Sequence, residues 1–493
     1  MDLSRRNFIK TACLCSIFPA SAIKSSFGAA ERPKADRPPN ILFILTDDQG
    51  YGDIGRHGHP LLKTPNIDRL YDESVRFDNF YVSPCCAPTR AALLTGMHEF
   101  KNGVTHTIEP REHLNKDAVT LQELLKKRGY ATGHFGKWHL GNSPGYFAHE
   151  RGFDVSVRPC GVHTSSNFDA GIIRNGKQED SKGFREDVLF DEAINFIEDN
   201  KDKPFFCYLA TFSPHTPLVA PEKFIKPYKG KTRDDIAVFL GMIANIDWNV
   251  GRIMSKLDQL GLDDNTIVMF MNDNGQTVGL DLYNADMRGC KCTIWHGGSR
   301  AMSFWRWKGV WKPRTEDALT AHLDVLPTLT ELSGAEIPAG TRKRLDGYSL
   351  VELLESKDGD FPRDRKLYEH VARWPNGMAD SHKYAMAAVR QGNYLYVRSR
   401  PCDNPECTPK VMGNQCHTLR LVEKGATAAT YTRDNAQFHW GVTPGDGWAL
   451  YDTKKDPGCM NDISKKHPVL VKQLKADYDK WWDTVRPAMI NEE

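Results

Sequence analysis

The apolar run Asn40–Thr46 is the feature that most constrains the fold of this 493-residue chain. Its core, Ile-Leu-Phe-Ile-Leu, would make both faces of a strand apolar. Strands buried on both faces belong to mostly parallel sheets that are covered by helices. The run ends abruptly in Asp47-Asp48-Gln49-Gly50, so polar side chains should lie at the carboxyl end of this strand.

Segments with strand and helix patterns alternate from this run to Gly334. Strands are predicted at 77–82, 130–135, 204–211, 266–271 and 301–307, and helices at 64–75, 119–127, 186–198, 236–260 and 320–332. The alternation predicts an α/β fold with a mostly parallel central sheet sandwiched by helices. In such sheets, ligands bind beyond the carboxyl ends of the strands.

The pattern changes after Gly334. Residues 335–365 are rich in Pro, Gly and charge, 384–390 and 393–398 predict a hairpin, and Pro468 opens a last amphipathic helix. These features predict a smaller C-terminal α+β subdomain. The predicted divisions are a signal peptide at 1–30, a large domain at 38–350 and the C-terminal subdomain at 360–490.

The N-terminus resembles an export signal. Arg5-Arg6 precede Phe-Ile-Lys and a modest apolar run at 11–22, which is typical of a bacterial twin-arginine signal; an ordinary Sec signal is the alternative. The run is too short for a membrane span. We therefore expect a periplasmic or secreted protein. The formal net charge of +2 argues against a general nucleic-acid binder.

The late cysteines suggest covalent cross-links. Four of the twelve cysteines lie in or near a Pro- and Asn-rich region, and they are Cys402, Cys407, Cys416 and Cys459. In an oxidising compartment they predict one or two disulfides, whose connectivity the sequence does not fix. A zinc site formed with His417 is the alternative, although the spacing suits zinc poorly.

Hard oxygen ligands follow two predicted strands. Asp47 and Asp48 follow the first apolar run, and Asp273 and Asn274 follow the strand at 266–271. Each pair alone is a common turn former. Together they predict a site for calcium or magnesium, and the lack of His and Cys from the set disfavours zinc.

Cationic side chains and a histidine stand near other strand ends. Lys137 and His139 follow the strand at 130–135 and would point to one side if the chain were extended. His215, between two prolines, is a candidate general acid. Lys291 is a point charge suited to a sulfate or phosphate oxygen. By itself Lys137-Trp138-His139 would more commonly be a surface turn, and His215 alone would more commonly be a capping or core histidine.

Residues 83–96, SPCCAPTRAALLTG, contain Cys86, Pro88 and Arg90 in a Cys-x-Pro-x-Arg pattern. By itself the pattern fits a buried thiol beside the first turn of a helix. Beside a metal site and anion-binding groups, it fits a nucleophile. Cys85 is one residue out of register and is expected to be a packing residue.

Several motifs, taken together and in this order, resemble those of type I, formylglycine-dependent sulfatases of the alkaline-phosphatase-like superfamily. They are LTDDQGYGD (45–53), TPNIDRL (64–70), SPCCAPTRAALLTG (83–96), GKWHLG (136–141), SPHTPL (213–218), MNDNG (271–275), K-x4-HGG-x-R (291–300) and LYDTKKDP (450–457). The resemblance extends from Asn40 to Val485. The helix at 234–260 and the stretch YNADMRGCKCTIWHGGSR (283–300) look most like those of bacterial carbohydrate sulfatases.

The resemblance implies that a sulfatase-maturing enzyme converts Cys86 to formylglycine, whose hydrated aldehyde attacks sulfur. Arg90 would hold the formylglycine, and His139 would steer its hydroxyl group. One Ca²⁺ would be bound by the modified Cys86 with Asp47, Asp48, Asp273 and Asn274. The groups that would contact the sulfate and its leaving oxygen are Lys137, His215 and Lys291, with His215 protonating the leaving alcohol.

The sequence departs from the family pattern at three positions. His296 stands where an acidic residue is usual, and Cys85 and Cys292 are also unexpected. The pocket walls are expected from residues 143–185, 283–300 and 370–445. Candidate substrate contacts there are His163, Arg288, Trp295 and His296.

The resemblance thus predicts an exported enzyme that hydrolyses sulfate monoesters on sugars of a sulfated polysaccharide or glycosaminoglycan, with a preference for galactose or N-acetylgalactosamine. Two alternatives stay open. One is a phosphate or phosphonate monoester hydrolase that uses the same groups. The other is a glycan-binding relative without activity.

Overall fold

A ten-stranded mixed sheet forms the centre of the computed structural model, which describes residues 37–161, 167–356, 359–400, 443 and 447–489. The strands of the described residues are β1 (Asn40–Thr46), β2 (Val75–Phe77), β3 (Phe80–Tyr81), β4 (Ala131–Gly136), β5 (Val155–Pro159), β6 (Ile172–Arg174), β7 (Lys177–Glu179), β8 (Phe205–Ala210), β9 (Thr266–Asn272), β10 (Ser303–Trp307), β11 (Arg314–Glu316), β12 (Thr320–Ala321), β13 (Lys366–His370), β14 (Ala387–Gln391), β15 (Tyr394–Arg398) and β16 (Ala449–Asp452).

The central sheet has the order β11-β2-β10-β9-β1-β8-β4-β5-β6-β7. Strands β9, β1, β8, β4 and β5 are parallel, whereas β10 runs antiparallel to β9 and β6 antiparallel to β5. The predicted mostly parallel sheet is therefore confirmed. Because β1 lies between β8 and β9, the carboxyl ends of these strands meet at one edge.

Helices pack on both faces of the central sheet, and others lie beside it or against the C-terminal sheet. The helices of the described residues are α1 (Pro65–Asp72), α2 (Cys86–Thr95), α3 (Leu121–Lys127), α4 (Arg185–Asp199), α5 (Glu222–Ile225), α6 (Asp234–Gln259), α7 (His296–Ser299), α8 (Val325–Ser333), α9 (Ala339–Arg342), α10 (Val351–Leu354) and α11 (Pro468–Val485). Alternate residues of β1 enter two separate cores: Phe43 packs in one and Ile44 in the other. This alternation explains why the run has no polar residue at its centre.

Helix α6 is, within the described parts of the chain, the one helix long and apolar enough to cross a bilayer. Its most apolar window is 72% buried inside the protein, and side chains such as Val250 and Ile253 pack in the core that contains Ile44. Packing against the sheet therefore explains why helix α6 is so apolar.

Two elements that the sequence predicts as continuous are each split into two in the structure. The strand predicted at 77–82 is interrupted at Asp78-Asn79, which separates β2 from β3. The helix predicted at 320–332 begins as β12, which pairs in parallel with β3, before α8 starts at Val325. The apolar pattern could not reveal this pairing, because its partner lies far away in the sequence.

A four-stranded antiparallel sheet, β13-β14-β15-β16, follows the central unit. The predicted hairpin is present as β14 and β15, with Gln391 paired to Tyr394, and its first strand starts at Ala387 rather than at Tyr384. Helix α11 begins at Pro468 as expected, and Tyr478 and Trp482 pack in a core shared with β14 and β15.

Some sequence predictions fall outside the described residues. They concern the signal peptide, His163, Cys402, Cys407, Cys416 and His417. Cys459 is described, and its thiol is buried and free.

Candidate active site

The polar residues that follow four neighbouring strands converge at the carboxyl edge of the sheet. Asp47-Asp48 follow β1, Asp273-Asn274 follow β9, Lys137 follows β4, and His215 comes after β8. Helix α2 starts at Cys86 and directs its N-terminus to the same place, where Cys86 lies near Lys137 and Lys291. The sequence-predicted nucleophile, cations and acidic residues are thus brought together.

The acidic residues form a compact buried group. Ligand atoms of Asp47, Cys86 and Asp273 all lie within 4.8 Å of one another. The Asp48 backbone N–H donates to Asp273 Oδ1 (3.2 Å), and Asn274 Nδ2 donates to Asp48 Oδ1 (2.9 Å). Among the described residues, Asp47 Oδ1 and Asn274 Oδ1 are buried without a hydrogen-bond partner. Such orphaned oxygens fit the ligand set of a hard divalent cation.

The two buried carboxyl groups influence each other. Burial works to raise the pKa of Asp47, but neighbouring cations, Lys137 above all, hold it well below its ordinary value. Burial, reinforced by the charge of Asp47, raises the pKa of Asp273 well above its ordinary value. A bound cation would favour the ionised form of both groups, which is the form that coordinates metals.

Three basic side chains contact this acidic group. Lys137 Nζ lies 2.6 Å from Asp47 Oδ2, and Lys291 Nζ lies 2.6 Å from Asp48 Oδ1. Arg90 is fully buried, one helical turn after Cys86, and it donates to Asp273 Oδ2 at 2.7 Å. Because both lysines also line the cavity described below, they can contact an anion bound beside Cys86.

Cys86 lies where negative charge is stabilised. Burial alone would raise the pKa of its thiol, but the surrounding cations outweigh this effect and lower the pKa to about 5. These cations are Lys137, Lys291 and His139. The side chain is at the first turn of α2, where the helix dipole also favours an anion.

His139 reaches Cys86 through a turn. Its φ of +60° is incompatible with the extended chain that the sequence prediction assumed for Lys137 and His139, so that argument is wrong although both side chains reach the site. His139 Nε2 is 3.1 Å from both Thr107 O and Glu112 Oε2. Burial opposes the charged ring, but Cys86 and Glu112 outweigh it and raise the pKa of His139 to about 9.

His215 is oriented by its own chain. Its Nδ1 is 2.7 Å from the backbone oxygen of Thr216, which can only accept, so Nδ1 carries a hydrogen. Its Nε2 is 3.7 Å from Asp48 Oδ2, and the ring lines the cavity. When protonated, His215 can therefore donate a proton from Nε2 to a group bound beside the lysines.

A cavity of about 630 Å³ is lined by Cys86, Lys137, His139, His215 and Lys291. Its walls include Phe147, His149 and Arg158 from the predicted 143–185 range and Arg373 from the 370–445 range. The cavity is also lined by Thr107, Ile108, Glu112 and Phe212, which lie outside the ranges predicted for the pocket walls. No motif marks these residues; their only signal is proximity in sequence to a predicted strand end or a charged loop.

Three predicted substrate contacts lie elsewhere. In the structure as described, none of Arg288, Trp295 and His296 lines the cavity, and each is at most 3% exposed. The Arg288 guanidinium lies 3.8 Å from the centre of the Trp295 ring, and His296 opens α7 in the interior. The prediction that they form a pocket wall is corrected, because the loop turns these side chains inward.

Together these groups suit the hydrolysis of an anionic ester. A nucleophile derived from Cys86 has Lys137 and Lys291 nearby for the oxygens of the transferred group, and His215 is placed to protonate a leaving oxygen. The cavity beyond them provides space for the rest of a substrate of sugar size.

Comparison with known proteins gives consistent matches. A family model described as Sulfatase matches residues 39–335. Human arylsulfatase A is 32% identical, with 89% of this chain and 87% of that protein covered. An N-acetylgalactosamine-6-O-sulfatase of Bacteroides thetaiotaomicron is 26% identical, over 88% and 91%. The crystal structure of Ps i-CgsB in complex with k-i-k-neocarrahexaose superposes with a TM-score of 0.72 at 25% identity, over 90% and 93%.

Proposed function

This chain belongs to the sulfatase family and is a sulfuric ester hydrolase, and from that premise we propose that it releases sulfate from sugars of a sulfated polysaccharide or glycosaminoglycan. The family implies a formylglycine and a metal ion, which we assign to Cys86 and to Ca²⁺. The observation that carries the proposal is the position of Cys86, at the start of α2 and between Lys137, Lys291 and His139.

The assignment of Ca²⁺ rests on the donor set. Asp47, Asp48, Asp273 and Asn274 offer oxygen atoms, and two of those oxygens are buried without a hydrogen-bond partner among the described residues. Calcium accepts such mixed carboxylate and amide ligands with flexible geometry, whereas magnesium retains several waters. When bound, the cation would supply Lewis-acid stabilisation of charge on the sulfonyl oxygens.

Separate side chains of this protein supply the nucleophile, bind the sulfate group and transfer protons. Once formed from Cys86, formylglycine supplies a hydrated aldehyde oxygen as nucleophile, which a thiol cannot do. Lys137 and Lys291 bind the sulfonyl oxygens and stabilise their growing charge. His215 protonates the leaving alcohol from Nε2, and His139, fixed through its Nε2 by Thr107 and Glu112, steers the nucleophile hydroxyl.

The cavity walls support a sugar substrate. Phe147 and Phe212 offer aromatic surface on which a sugar ring can lie, and Arg158 and Arg373 offer donors for hydroxyl or acidic groups. One relative is named for N-acetylgalactosamine 6-O-sulfate hydrolysis, and one structural neighbour holds an oligosaccharide. We therefore favour galactose or N-acetylgalactosamine as the sulfated unit.

The direct test measures sulfate release from defined monosulfated derivatives of galactose, N-acetylgalactosamine, glucosamine and fucose. We expect one galactose-type sulfate to show the highest kcat/KM. The sulfate and phosphate esters of one phenol should be compared in parallel. Strong preference for the phosphate ester would favour the phosphomonoesterase alternative, and binding of the sulfated sugars without turnover by protein with converted Cys86 would favour the inactive glycan-binding alternative.

Removal of the metal should lower stability as well as activity. A calcium chelator removes a ligand that only the folded chain binds, so the melting temperature should fall. Calcium at 100 times its Kd should restore about 2.7 kcal/mol of stability. The measurement is thermal unfolding across a calcium titration, with Asp273→Asn as the variant that should lose the response. If neither the chelator nor added calcium changes the melting temperature, the assignment of Ca²⁺ to this site is refuted.

We also propose that the protein is exported through a twin-arginine signal and that a maturing enzyme acts before export. Cys86 is only 2% exposed in the folded chain, so an enzyme must reach it before folding is complete. Twin-arginine signals export folded proteins, which places the oxidation in the cytoplasm. Replacing the signal with a Sec signal should therefore lower the fraction of converted Cys86, measured by mass spectrometry. An unchanged fraction would argue against this order of events.

A further inference from the structure

Two cysteines that are unexpected in the family pattern meet in the structure. Cys85 Sγ lies 3.3 Å from Cys292 Sγ, although the residues are 207 positions apart in the sequence. Cys85 precedes the nucleophile position, and Cys292 follows Lys291. Both are buried, at 1% and 4% exposure, in a core that also contains Trp295 and Tyr451. Neither thiol has a role in the chemistry proposed above.

The backbones beside the pair are also joined. The Cys292 N–H donates to Pro84 O at 2.7 Å, so the two segments are already in contact without any covalent link. Cys292 has a φ of +62°, in the region that favours glycine. A glycine would adopt this φ without strain. The backbone conformation therefore does not explain the cysteine, whose contribution at this position is its thiol side chain.

The surroundings argue against a metal on this sulfur pair. Arg373 NH1 donates to Cys292 Sγ at 2.9 Å, and a cation bound by the two sulfurs would face this positive charge. The same guanidinium is suited to stabilise an anionic sulfur, which is the form that attacks a disulfide. Arg373 also lines the active-site cavity, so the pair lies one side chain behind the cavity surface.

We propose that Cys85 and Cys292 form a disulfide that ties the start of the nucleophile helix α2 to the Lys291 loop. The oxidant is a small-molecule disulfide. One cysteine attacks it and releases one thiol, and the second cysteine then attacks the mixed disulfide and releases the other. The protein loses two S–H hydrogens, gains one S–S bond, and the oxidant is reduced to two thiols.

The test uses the positions at which trypsin cleaves. Cys85 lies in the peptide 77–90, Cys290 in 289–291 and Cys292 in 292–300, so the two cysteines that flank Lys291 are separated. Native protein is incubated with oxidised glutathione, and free thiols are then alkylated in denaturant. We expect 292–300 to be recovered joined to 77–90, about 2 Da lighter than the two thiol peptides together. Fragment ions assign the bond to Cys85 rather than to Cys86.

Recovery of both peptides alkylated, or of both carrying glutathione, would overturn the proposal. Cys207 serves as an internal control, because it is fully buried in β8 and should be recovered alkylated. A second readout is stability: reductant should lower the melting temperature of the oxidised protein, and Cys292→Ser should abolish that shift whereas Cys290→Ser should retain it. An unchanged shift in Cys292→Ser would contradict the proposal.

Discussion

Replacing Cys86 with alanine is expected to lower the turnover of sulfate esters by at least about 10³-fold, because no nucleophile is then available for attack on sulfur. Cys86 is the thiol that lies beside the metal-binding carboxylates and the two lysines. Binding of the substrate should persist, since the lysines and the cavity walls are unchanged. Single-turnover and steady-state kinetics on a sulfated sugar provide the measurement.

Cys85→Ala is the matched control for this variant. Cys85 is equally buried and adjacent in the chain, but its sulfur faces Cys292 instead of the acidic group. Its replacement should leave kcat within a few-fold of the unmodified protein while lowering thermal stability under non-reducing conditions. If Cys85→Ala is inactive and Cys86→Ala is active, the register of the nucleophile has been misassigned.

Replacing His215 with alanine is expected to slow the hydrolysis of a sugar sulfate by about 10²- to 10⁴-fold, because an alkoxide leaves poorly without a proton. The loss should be much smaller for a nitrophenyl sulfate, whose phenolate leaves unaided. The geometry behind this expectation is the Nδ1 bond to Thr216, which directs Nε2 toward the site. The measurement is the ratio of kcat values for the two substrates in each protein.

His149→Ala is the control for a change in the cavity that weakens substrate binding without removing a proton donor. His149 lines the same cavity but stacks on Phe147, with ring centres 5.5 Å apart. Replacing His149 should change kcat for the sugar sulfate and for the nitrophenyl sulfate by the same factor. Equal losses for the sugar and nitrophenyl esters in His215→Ala would show that His215 acts in binding and not as the acid.

The positions of the site residues could be predicted where an apolar strand points directly at them. Asp47-Asp48 and Asp273-Asn274 each follow a strand buried on both faces, and parallel neighbours bring their ends to one edge. Lys137 and His215 follow β4 and β8 for the same reason. The fold class followed from the same runs, since burial on both faces requires helices above and below the sheet.

The sequence could not reveal which side of a loop faces the cavity. Arg288, Trp295 and His296 lie close to Lys291 in the chain, yet their side chains turn into the interior, whereas Lys291 reaches Asp48. The contact between Cys85 and Cys292 was equally hidden, because it joins segments 207 positions apart and follows no periodic pattern. Such contacts depend on how loops fold over the sheet edge.

The mass of the tryptic peptide 77–90 tests the central claim most directly. In active protein, after reduction and alkylation, we expect a form whose Cys86 residue is about 18 Da lighter than cysteine, the difference between CH₂SH and CHO. The fraction of this form should rise in proportion to kcat across preparations. Full activity in protein whose Cys86 is quantitatively alkylated would contradict the account.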